Sequence, residues 1–564
     1  MSDIAKALTD ATGQLTQKGA PFALEDVKID GINYRFYSQA PDTVRELLAV
    51  GRSHGDAEFI VYEGESWSFN KFFEDVDAIA HQLVNHYGVN KGDRVAIAMR
   101  NYPEWLTSYV AIISLGAVVV PLNSWGKREE LEYVLKDSQS SVVFCDQQRF
   151  NHIADDLNAM GIKAVVARNT TAIDSESAES YADFIAGATD AEMPAFEIKT
   201  EDPAMIMYTS GTTGKPKGVV SSNRNICQAI YSFEFGATCQ AMANPKTIEA
   251  MMTSGNAPAS LLAVPLFHVS GLYAMFLLSL RGGRKIVMMY KWEPGEALKL
   301  IAEQKVTTLS AAPTMVMDVL DHPDFDNTDT SSLIALGAGG SASPPRFLEL
   351  AYEKVNNVYP GTGYGLTENN AVGATCTGEV YRYKPKSSGS VLPTVECKTC
   401  DEDGNELEKG ATGEIWMRSA TVAQGYWQNP EATAETFIDG WVVTGDIGYI
   451  DDENFLYIVD RAKDIIIRGG ENISAAEIEG CLYDHPAIWE VAAIAVPHDS
   501  LGEELGVVYN TKEGQSLSVE ELQDFVKARL AGFKVPSKVW RSEEPLPRNA
   551  TGKVVKKTLK EQYN

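Results

Sequence analysis

Phe69-Asn-Lys-Phe-Phe-Glu-Asp-Val-Asp-Ala-Ile-Ala-His-Gln-Leu-Val84, followed shortly by Val95-Ala-Ile-Ala-Met99, is the stretch on which the fold class turns. Phe69, Phe72, Phe73, Val76, Ala80, Leu83 and Val84 recur at helical spacing, and Gly92-Asp93 then turns the chain into a short apolar run. A helix followed by a buried strand is predicted. The order repeats with a helix near Glu104 to Leu115, a strand at Val118, a helix near Glu129 to Lys136 and a strand at Val142 to Cys145. Such alternation implies an α/β fold, with parallel sheets covered by helices on both faces.

Further along, from about Ser387, the texture changes to short strands with tight turns such as Asp403-Gly404 and Asp439-Gly440. A β-rich subdomain is expected there. After Arg461 a smaller α+β unit begins, with a strand at Ile465 to Ile467 and a helix starting at Ser474. Ser474-Ala-Ala-Glu477 has the form of a capping box, so the chain is expected to enter that helix directly after Gly469-Gly470. The expected organisation is a large N-terminal domain of α/β layers, residues 1–460, carrying the β-rich subdomain, and a small mobile C-terminal domain, residues 461–564.

A chain of 564 residues is long enough for two or more domains with a sizeable interior. Its 77 acidic against 49 basic residues give a net charge of −28, which argues against nucleic acid or an anionic membrane as partner. Any anionic ligand must therefore meet local positive charge. Residues 1–22 carry no basic segment followed by an apolar one, and a cytoplasmic protein is expected. Seven scattered cysteines do not describe a disulfide framework, and Cys397-Lys-Thr-Cys400 has no second ligand pair to make a zinc site. Two uncharged stretches, Trp105 to Gly126 and Ser254 to Leu280, approach the ~20 residues of a membrane span. Gly116, Pro121, Pro258, Pro265 and Gly271 break them into buried core elements, and no integral membrane segment is expected.

The chemistry is concentrated in Ala204-Met-Ile-Met-Tyr-Thr-Ser-Gly-Thr-Thr-Gly-Lys-Pro-Lys-Gly218. An apolar strand runs into a loop of hydroxyls, glycines and lysines. Glycines let backbone N–H groups converge on an anion, hydroxyls donate, and lysines neutralise charge, which is what phosphate oxygens require. The loop is not of the Walker A kind, because only two residues separate Gly211 from Gly214-Lys215 and Pro216 follows the lysine.

In order along the chain follow Pro265-Leu-Phe-His-Val-Ser-Gly271, Gly337-Ala-Gly-Gly-Ser341, Gly363-Tyr-Gly-Leu-Thr-Glu368, Thr444-Gly-Asp446, Asp460-Arg461 through Glu479, and Pro547-Arg-Asn-Ala-Thr-Gly-Lys553. With the loop, over about Ser66 to Lys557, they make the chain resemble the adenylate-forming superfamily of acyl-CoA synthetases, luciferases and peptide-synthetase adenylation domains. The resemblance implies ATP, Mg²⁺ and coenzyme A. It implies that Thr209, Ser210, Gly211, Thr212, Thr213, Gly214, Lys215 and Lys217 grip the nucleotide phosphates. Gly337, Ala338 and Gly339 would line the nucleotide and acyl pockets, and Tyr364 would stack on adenine beside Gly365 and Thr367. Asp446 would accept hydrogen bonds from the ribose hydroxyls, with Arg461 assisting, and Glu368 would ligate Mg²⁺. Lys553 matches the lysine that binds the substrate carboxylate and α-phosphate, and His268, counted with the catalytic residues, would gate the acyl and pantetheine channels. Lys463 stands at the hinge position, and rotation there would bring Gly469-Gly470-Glu471 to the pantetheine tunnel for the coenzyme A half-reaction.

The expected reaction is acid plus ATP to acyl-AMP and pyrophosphate, then thiol attack to acyl-CoA and AMP. Because a carboxylate is a poor electrophile and both reactants are anions, positive charge and positioning carry most of the catalysis. Leu272-Tyr-Ala-Met-Phe-Leu-Leu278 and Ser310-Ala-Ala-Pro313 suggest apolar pocket walls, so a medium- or long-chain fatty acid is the first expectation. An aromatic acid of the cinnamate or benzoate type stays open, as does loading of a separate carrier protein. A luciferase-like oxygenase and a non-catalytic nucleotide-binding protein are the remaining alternatives. The partner expected is a small-molecule carboxylic acid, with no nucleic acid, and a homodimer is left open.

Overall fold

The computed structural model describes residues 2–188, 191–209, 215–340, 343–549 and 552–563, without the side chains of Thr247, Ala250 and Pro345. The predicted helix forms as Phe69–Asn85, capped by Ser68, whose hydroxyl accepts the Lys71 N–H at 3.1 Å. It leads through Gly92, at φ 84°, into strand Arg94–Ala98. Helix Pro103–Ser114, strand Val118–Pro121, helix Arg128–Ser138 and strand Val142–Asp146 follow, each within two residues of its expected place.

These strands belong to an eight-stranded sheet ordered Gly425–Tyr426, Lys217–Ser222, Pro203–Thr209, Val118–Pro121, Arg94–Ala98, Val142–Asp146, Lys163–Ala167, Ala178–Ser180. Pairing is parallel from Pro203–Thr209 to Ala178–Ser180, while Lys217–Ser222 returns antiparallel on Pro203–Thr209. A second sheet, of fourteen strands, has a parallel half running from Glu58–Tyr62 through Lys285–Met288, Ala259–Leu262, Thr308–Ala311 and Ala335–Ala338 to Tyr359–Tyr364. Between the sheets Phe59, Phe69, Phe72 and Phe276 pack ring on ring with centroids 4.1–6.4 Å apart. Truncating one such buried ring to alanine costs about 3–5 kcal/mol.

The β-rich region expected from Ser387 is the antiparallel continuation of this second sheet. Strand Gly389–Val391 pairs with Ala374–Thr377 on one side and Phe455–Arg461 on the other, and Trp441–Ile450, Gly413–Arg418 and Glu396–Cys400 extend the edge. Gly389 makes the junction. At φ 115° a Cβ there would lie 2.2 Å from the Thr375 carbonyl carbon, so only glycine allows the strands to meet. Cys397 and Cys400 sit three apart on strand Glu396–Cys400 and so point to opposite faces, both as free thiols.

The C-terminal unit has its own five-stranded sheet, with Glu471–Ile473, Ile466–Arg468, Gly502–Thr511 and Ile488–His498 antiparallel and Lys538–Arg541 parallel to Gly502–Thr511. One face buries Ile466, Ile478, Leu482, Leu505, Val507 and Leu522, the other Ile494, Val508, Leu546 and Leu559. The entry to helix Ala475–Tyr483 differs from expectation. Gly469-Gly470, at φ 59° and 91°, closes a hairpin, and strand Glu471–Ile473 intervenes before the helix. Ser474 does cap it, accepting the Glu477 N–H at 3.1 Å, but the Glu477 carboxylate is drawn 2.5 Å from Lys534. Among the described residues no helix is long and apolar enough to cross a membrane.

Candidate active site

Strand Pro203–Thr209 delivers the chain to the phosphate-type loop and Lys217–Ser222 carries it back, with Thr209 opposite Lys217. Ser210, Gly211, Thr212, Thr213 and Gly214 lie outside the described residues, as does Ser341 of the Gly337 segment. Thr209 and Lys217 are half-buried at the loop's two ends, whereas Lys215 is exposed, its ammonium 5.3 Å from the Tyr133 ring. Below the loop the Tyr208 hydroxyl donates to Asp137 at 2.5 Å. Burial first, and that carboxylate second, push the phenol above its ordinary pKa.

Thr367 and Glu368 occupy the single turn Thr367–Asn369, which follows strand Tyr359–Tyr364 after Gly365 and Leu366. Gly365 is required there, since a Cβ would lie 2.3 Å from the Ala371 carbonyl carbon. Glu368 Oε1 accepts from the Tyr426 hydroxyl at 2.8 Å. Lys217 lies 5.1 Å from the same tyrosine's ring, and Tyr426 stands opposite Val219 on the neighbouring strand. Burial, with the Glu368 charge behind it, raises the Tyr426 phenol, so it stays a donor. Two residues on, buried Asn370 accepts from Ser221 at 2.9 Å and from Tyr273 at 2.7 Å and donates to the Thr421 carbonyl at 2.8 Å. The Glu368 turn is thus bolted to the loop's return strand and to the π-helical segment Ser270–Leu277.

Asp446 and Arg461 face each other across strands Trp441–Ile450 and Phe455–Arg461, and Arg461 Nε donates to Asp446 Oδ1 at 2.8 Å. The other carboxylate oxygen accepts from the Tyr364 hydroxyl, and the Asp446 side chain is buried. Burial, then the Asp446 charge, holds the Tyr364 phenol far above its usual range. Lys553, an exposed side chain, approaches this pair from the far end of the chain. Its pKa is lowered by the protein packed around it and then by the Arg461 charge, against the opposing pull of Asp446 and Asp464. Backbone bonds of Asn549 with Gly552 and with Lys553 fix its approach, and a Cβ on Gly552 would be 3.7 Å from Ala312. The C-terminal unit therefore presents its last turn to the ends of the second sheet's strands, where Gly337 and Ala338 end strand Ala335–Ala338 and the Gly339 N–H reaches the Ala311 carbonyl at 3.1 Å.

Lys463 is exposed in the turn Ala462–Asp464, between the last strand of the large sheet and the first of the small one. Beside it buried Asp460 accepts from the Ser474 hydroxyl at 2.9 Å and the Ala476 N–H at 3.0 Å, clamping the N-terminus of helix Ala475–Tyr483. A carboxylate there also meets the positive end of the helix dipole. Gly469, Gly470 and Glu471 form an exposed hairpin tip, held on their own domain by the Gly469 N–H bond to the Leu501 carbonyl at 2.9 Å. His268 precedes the π-helical segment, and burial lowers its pKa to about 4. It is neutral at physiological pH and can act as a wall but not as a charged group.

A cavity of about 550 Å³ opens between the two units. Arg100, Trp125, Pro265, Tyr290 and Thr314 line one side and Trp489, Lys512, Arg548 and Gly552 the other. The Arg100 guanidinium lies 3.4 Å from the Trp125 ring centre. Asp318, also in its wall, has a pKa raised to about 6, chiefly by burial.

The sequence brought forward Glu368, Tyr364, Asp446, Arg461 and Lys553, which the fold gathers into two linked clusters. It did not bring forward Tyr426, Asn370 or Asp460 in its latching role. The aromatic pair Tyr426-Trp427 and the doubled Asn369-Asn370 beside Glu368 were the signals available.

Known proteins resemble the chain over most of its length. Residues 48–427 match the family model described as AMP-binding enzyme, and residues 477–553 that of the AMP-binding enzyme C-terminal domain. A long-chain-fatty-acid–CoA ligase of Bacillus subtilis is 33% identical over 534 residues, covering 90% of this chain and 92% of that protein. A 2-succinylbenzoate–CoA ligase of Bacillus cereus is 32% identical, covering 90% of this chain and 96% of that protein. The solved o-succinylbenzoate CoA synthetase of Bacillus subtilis, in complex with its acyl-adenylate intermediate, superposes with a TM-score of 0.73 at 30% identity, covering 91% of this chain and 97% of that one. The chain belongs to the adenylate-forming family of AMP-binding enzymes, among its AMP-forming acid:CoA ligases.

Proposed function

We propose that this chain activates a medium- or long-chain carboxylic acid with ATP to acyl-AMP and pyrophosphate, then transfers the acyl group to coenzyme A. The observation that supports this most is the approach of Gly552, from the small domain, to Ala312 of the large one, which carries Lys553 toward the Asp446–Arg461 pair. An ammonium at that point can neutralise charge as it moves from the attacking carboxylate to the α-phosphate, a stabilisation largest in the transition state. Asp446 and Arg461 would orient the ribose, Tyr364 the base, and Thr209, Lys215 and Lys217 with the rest of the loop the phosphates.

Glu368 fits a Mg²⁺ ligand. Its turn is rigidly held and Tyr426 occupies Oε1, and Mg²⁺ bound with phosphates needs only one or two protein carboxylates. The ion, when bound, would shield the triphosphate charge. The interdomain cavity, with Arg100 stacked on Trp125 and with Lys512 and Arg548 opposite, suits the nucleotide end of coenzyme A. Residues 1–460 and 461–564 are the proposed moving bodies, with Lys463 at the joint. An aryl acid is the second reading, favoured by the likeness to the 2-succinylbenzoate–CoA ligases.

Pyrophosphate release measured across fatty, aromatic and short acids, with and without coenzyme A, tests the proposal. Release with a medium or long fatty acid, followed by its thioester in mass analysis, is expected. Release with no acid in the panel would refute acid activation.

A further inference from the structure

The phosphate-type loop leaves strand Pro203–Thr209 and returns on strand Lys217–Ser222, and both of its ends are tied to one residue of a third element, Asp137. Asp137 stands in the last turn of helix Arg128–Ser138, where a carboxylate opposes the helix dipole. Helix energetics alone therefore disfavour it. At the entering end of the loop, the Tyr208 hydroxyl donates to Asp137 Oδ2 at 2.5 Å. At the returning end, the Trp427 backbone N–H donates to the Gly218 carbonyl at 2.7 Å, and the indole N–H of the same residue donates to the Asp137 carbonyl at 2.9 Å.

The end of the helix leaves that carbonyl for Trp427. The Ser140 and Gln139 N–H groups take the Leu135 and Lys136 carbonyls at 3.3 and 3.2 Å, and Arg94 Nε takes that of Ser138 at 3.1 Å. Tyr208 lies opposite Gly218 in the register, and a Cβ on Gly218 would be 3.0 Å from Tyr208 Cζ. Glycine thus lets the phenol cross the return strand to reach the helix. Tyr133, four residues before Asp137 and so on the same helix face, lies with its ring 5.3 Å from the Lys215 ammonium. Its hydroxyl donates to the Pro216 carbonyl at 3.4 Å.

We infer that Asp137 is a positioning residue for the nucleotide phosphates, the post to which Tyr208 and Trp427 fasten the two ends of the loop. This rests on the acid-activating reading above and gives it a residue outside the sequence motifs. Asp137 acts through the loop and not on the phosphates. It fixes where the two ends stand, so that Lys215 and Lys217 meet a triphosphate already in place, without a cost of ordering at binding. AMP offers one phosphate where ATP offers three, and its ribose and base fall to Asp446, Arg461 and Tyr364 on the other sheet. Loss of the clamp therefore weakens ATP more than AMP.

Dissociation constants for Mg²⁺-ATP and for AMP are measured by calorimetry in the full chain and in Asp137→Ala, Asp137→Asn, Tyr208→Phe and Trp427→Phe. Asp137→Ala and Tyr208→Phe should each weaken ATP about tenfold with AMP held within about twofold. Their double variant should do no worse than either alone, because both remove one bond. Removing a negative charge beside the loop would by itself tighten a polyanion, so weakening by Asp137→Ala has the sign of a lost clamp. Asp137→Asn keeps an acceptor for Tyr208 and should recover most of the loss. Trp427→Phe removes only the indole N–H and should weaken ATP about threefold with AMP unchanged. Equal weakening of ATP and AMP in Asp137→Ala, or none, overturns the inference, and Tyr208→Phe decides by the same measure should that variant not fold. Unchanged ATP binding in Trp427→Phe overturns the two-ended clamp. Pyrophosphate release with no acid would refute acid activation alone, because the binding test needs no acid, whereas absence of ATP binding in the unmodified protein overturns both readings.

Discussion

Tyr426 joins two groups of the candidate site through one phenol. Its hydroxyl holds Glu368 Oε1 at 2.8 Å while Lys217, at the end of the phosphate-type loop, lies over its ring. Removing the hydroxyl leaves the ring and its packing on Phe437 in place but frees the carboxylate to turn. Tyr426→Phe is therefore expected to lower kcat/KM for acid-dependent pyrophosphate release about tenfold, and to raise the Mg²⁺ concentration giving half-maximal rate. A magnesium titration at saturating ATP checks this, and an unchanged midpoint would assign Tyr426 a packing role only. His268, with its pKa near 4, stays neutral across the working pH range, so its ring contributes shape and not charge.

At the scale of elements, the segment from Pro265 to Leu277 is where backbone geometry and function meet. His268 sits in the tight turn before the π-helical stretch, with its own N–H on the Pro265 carbonyl and its carbonyl accepting the Leu272 N–H. Stretches of π-helix are uncommon and often mark functional sites. Gly271 makes this one fit, because a Cβ there would lie 2.3 Å from the Pro265 carbonyl oxygen. Gly271→Ala must push the helix off Pro265 and shift His268, Ala274 and Tyr273 together. The expected result is a loss of about 2–3 kcal/mol of stability, read by denaturant unfolding, together with a changed acid preference. Wild-type stability would mean that the contact relaxes without cost.

The whole molecule is two bodies latched in one arrangement. Asp460 holds the N-terminus of helix Ala475–Tyr483, Glu479 pairs with Lys556 at 2.7 Å, and Gly552, next to Lys553, lies close to Ala312 of the large unit. Lys463 is exposed in the connecting turn. If one small domain serves both half-reactions, Lys553→Ala should lose adenylation by about a thousandfold or more. Transfer from supplied acyl-AMP to coenzyme A should stay within about tenfold. Single-turnover assays of each half-reaction separate the two, and equal loss in both would contradict a rotating domain.

Much of this was legible in the chain itself. Helical and strand periodicity between Phe69 and Cys145 specified the α/β alternation, because a buried parallel sheet leaves its pattern in contiguous residues. The loop Thr209 to Gly218 declared phosphate chemistry by composition, and the ordered motifs out to Lys553 declared acid activation. The rest depended on contacts between residues far apart in sequence, which local pattern does not encode. Only the tertiary structure joined the late antiparallel strands to the parallel sheet through Gly389, turned Glu477 from its own cap to Lys534, and set Tyr426 against Glu368.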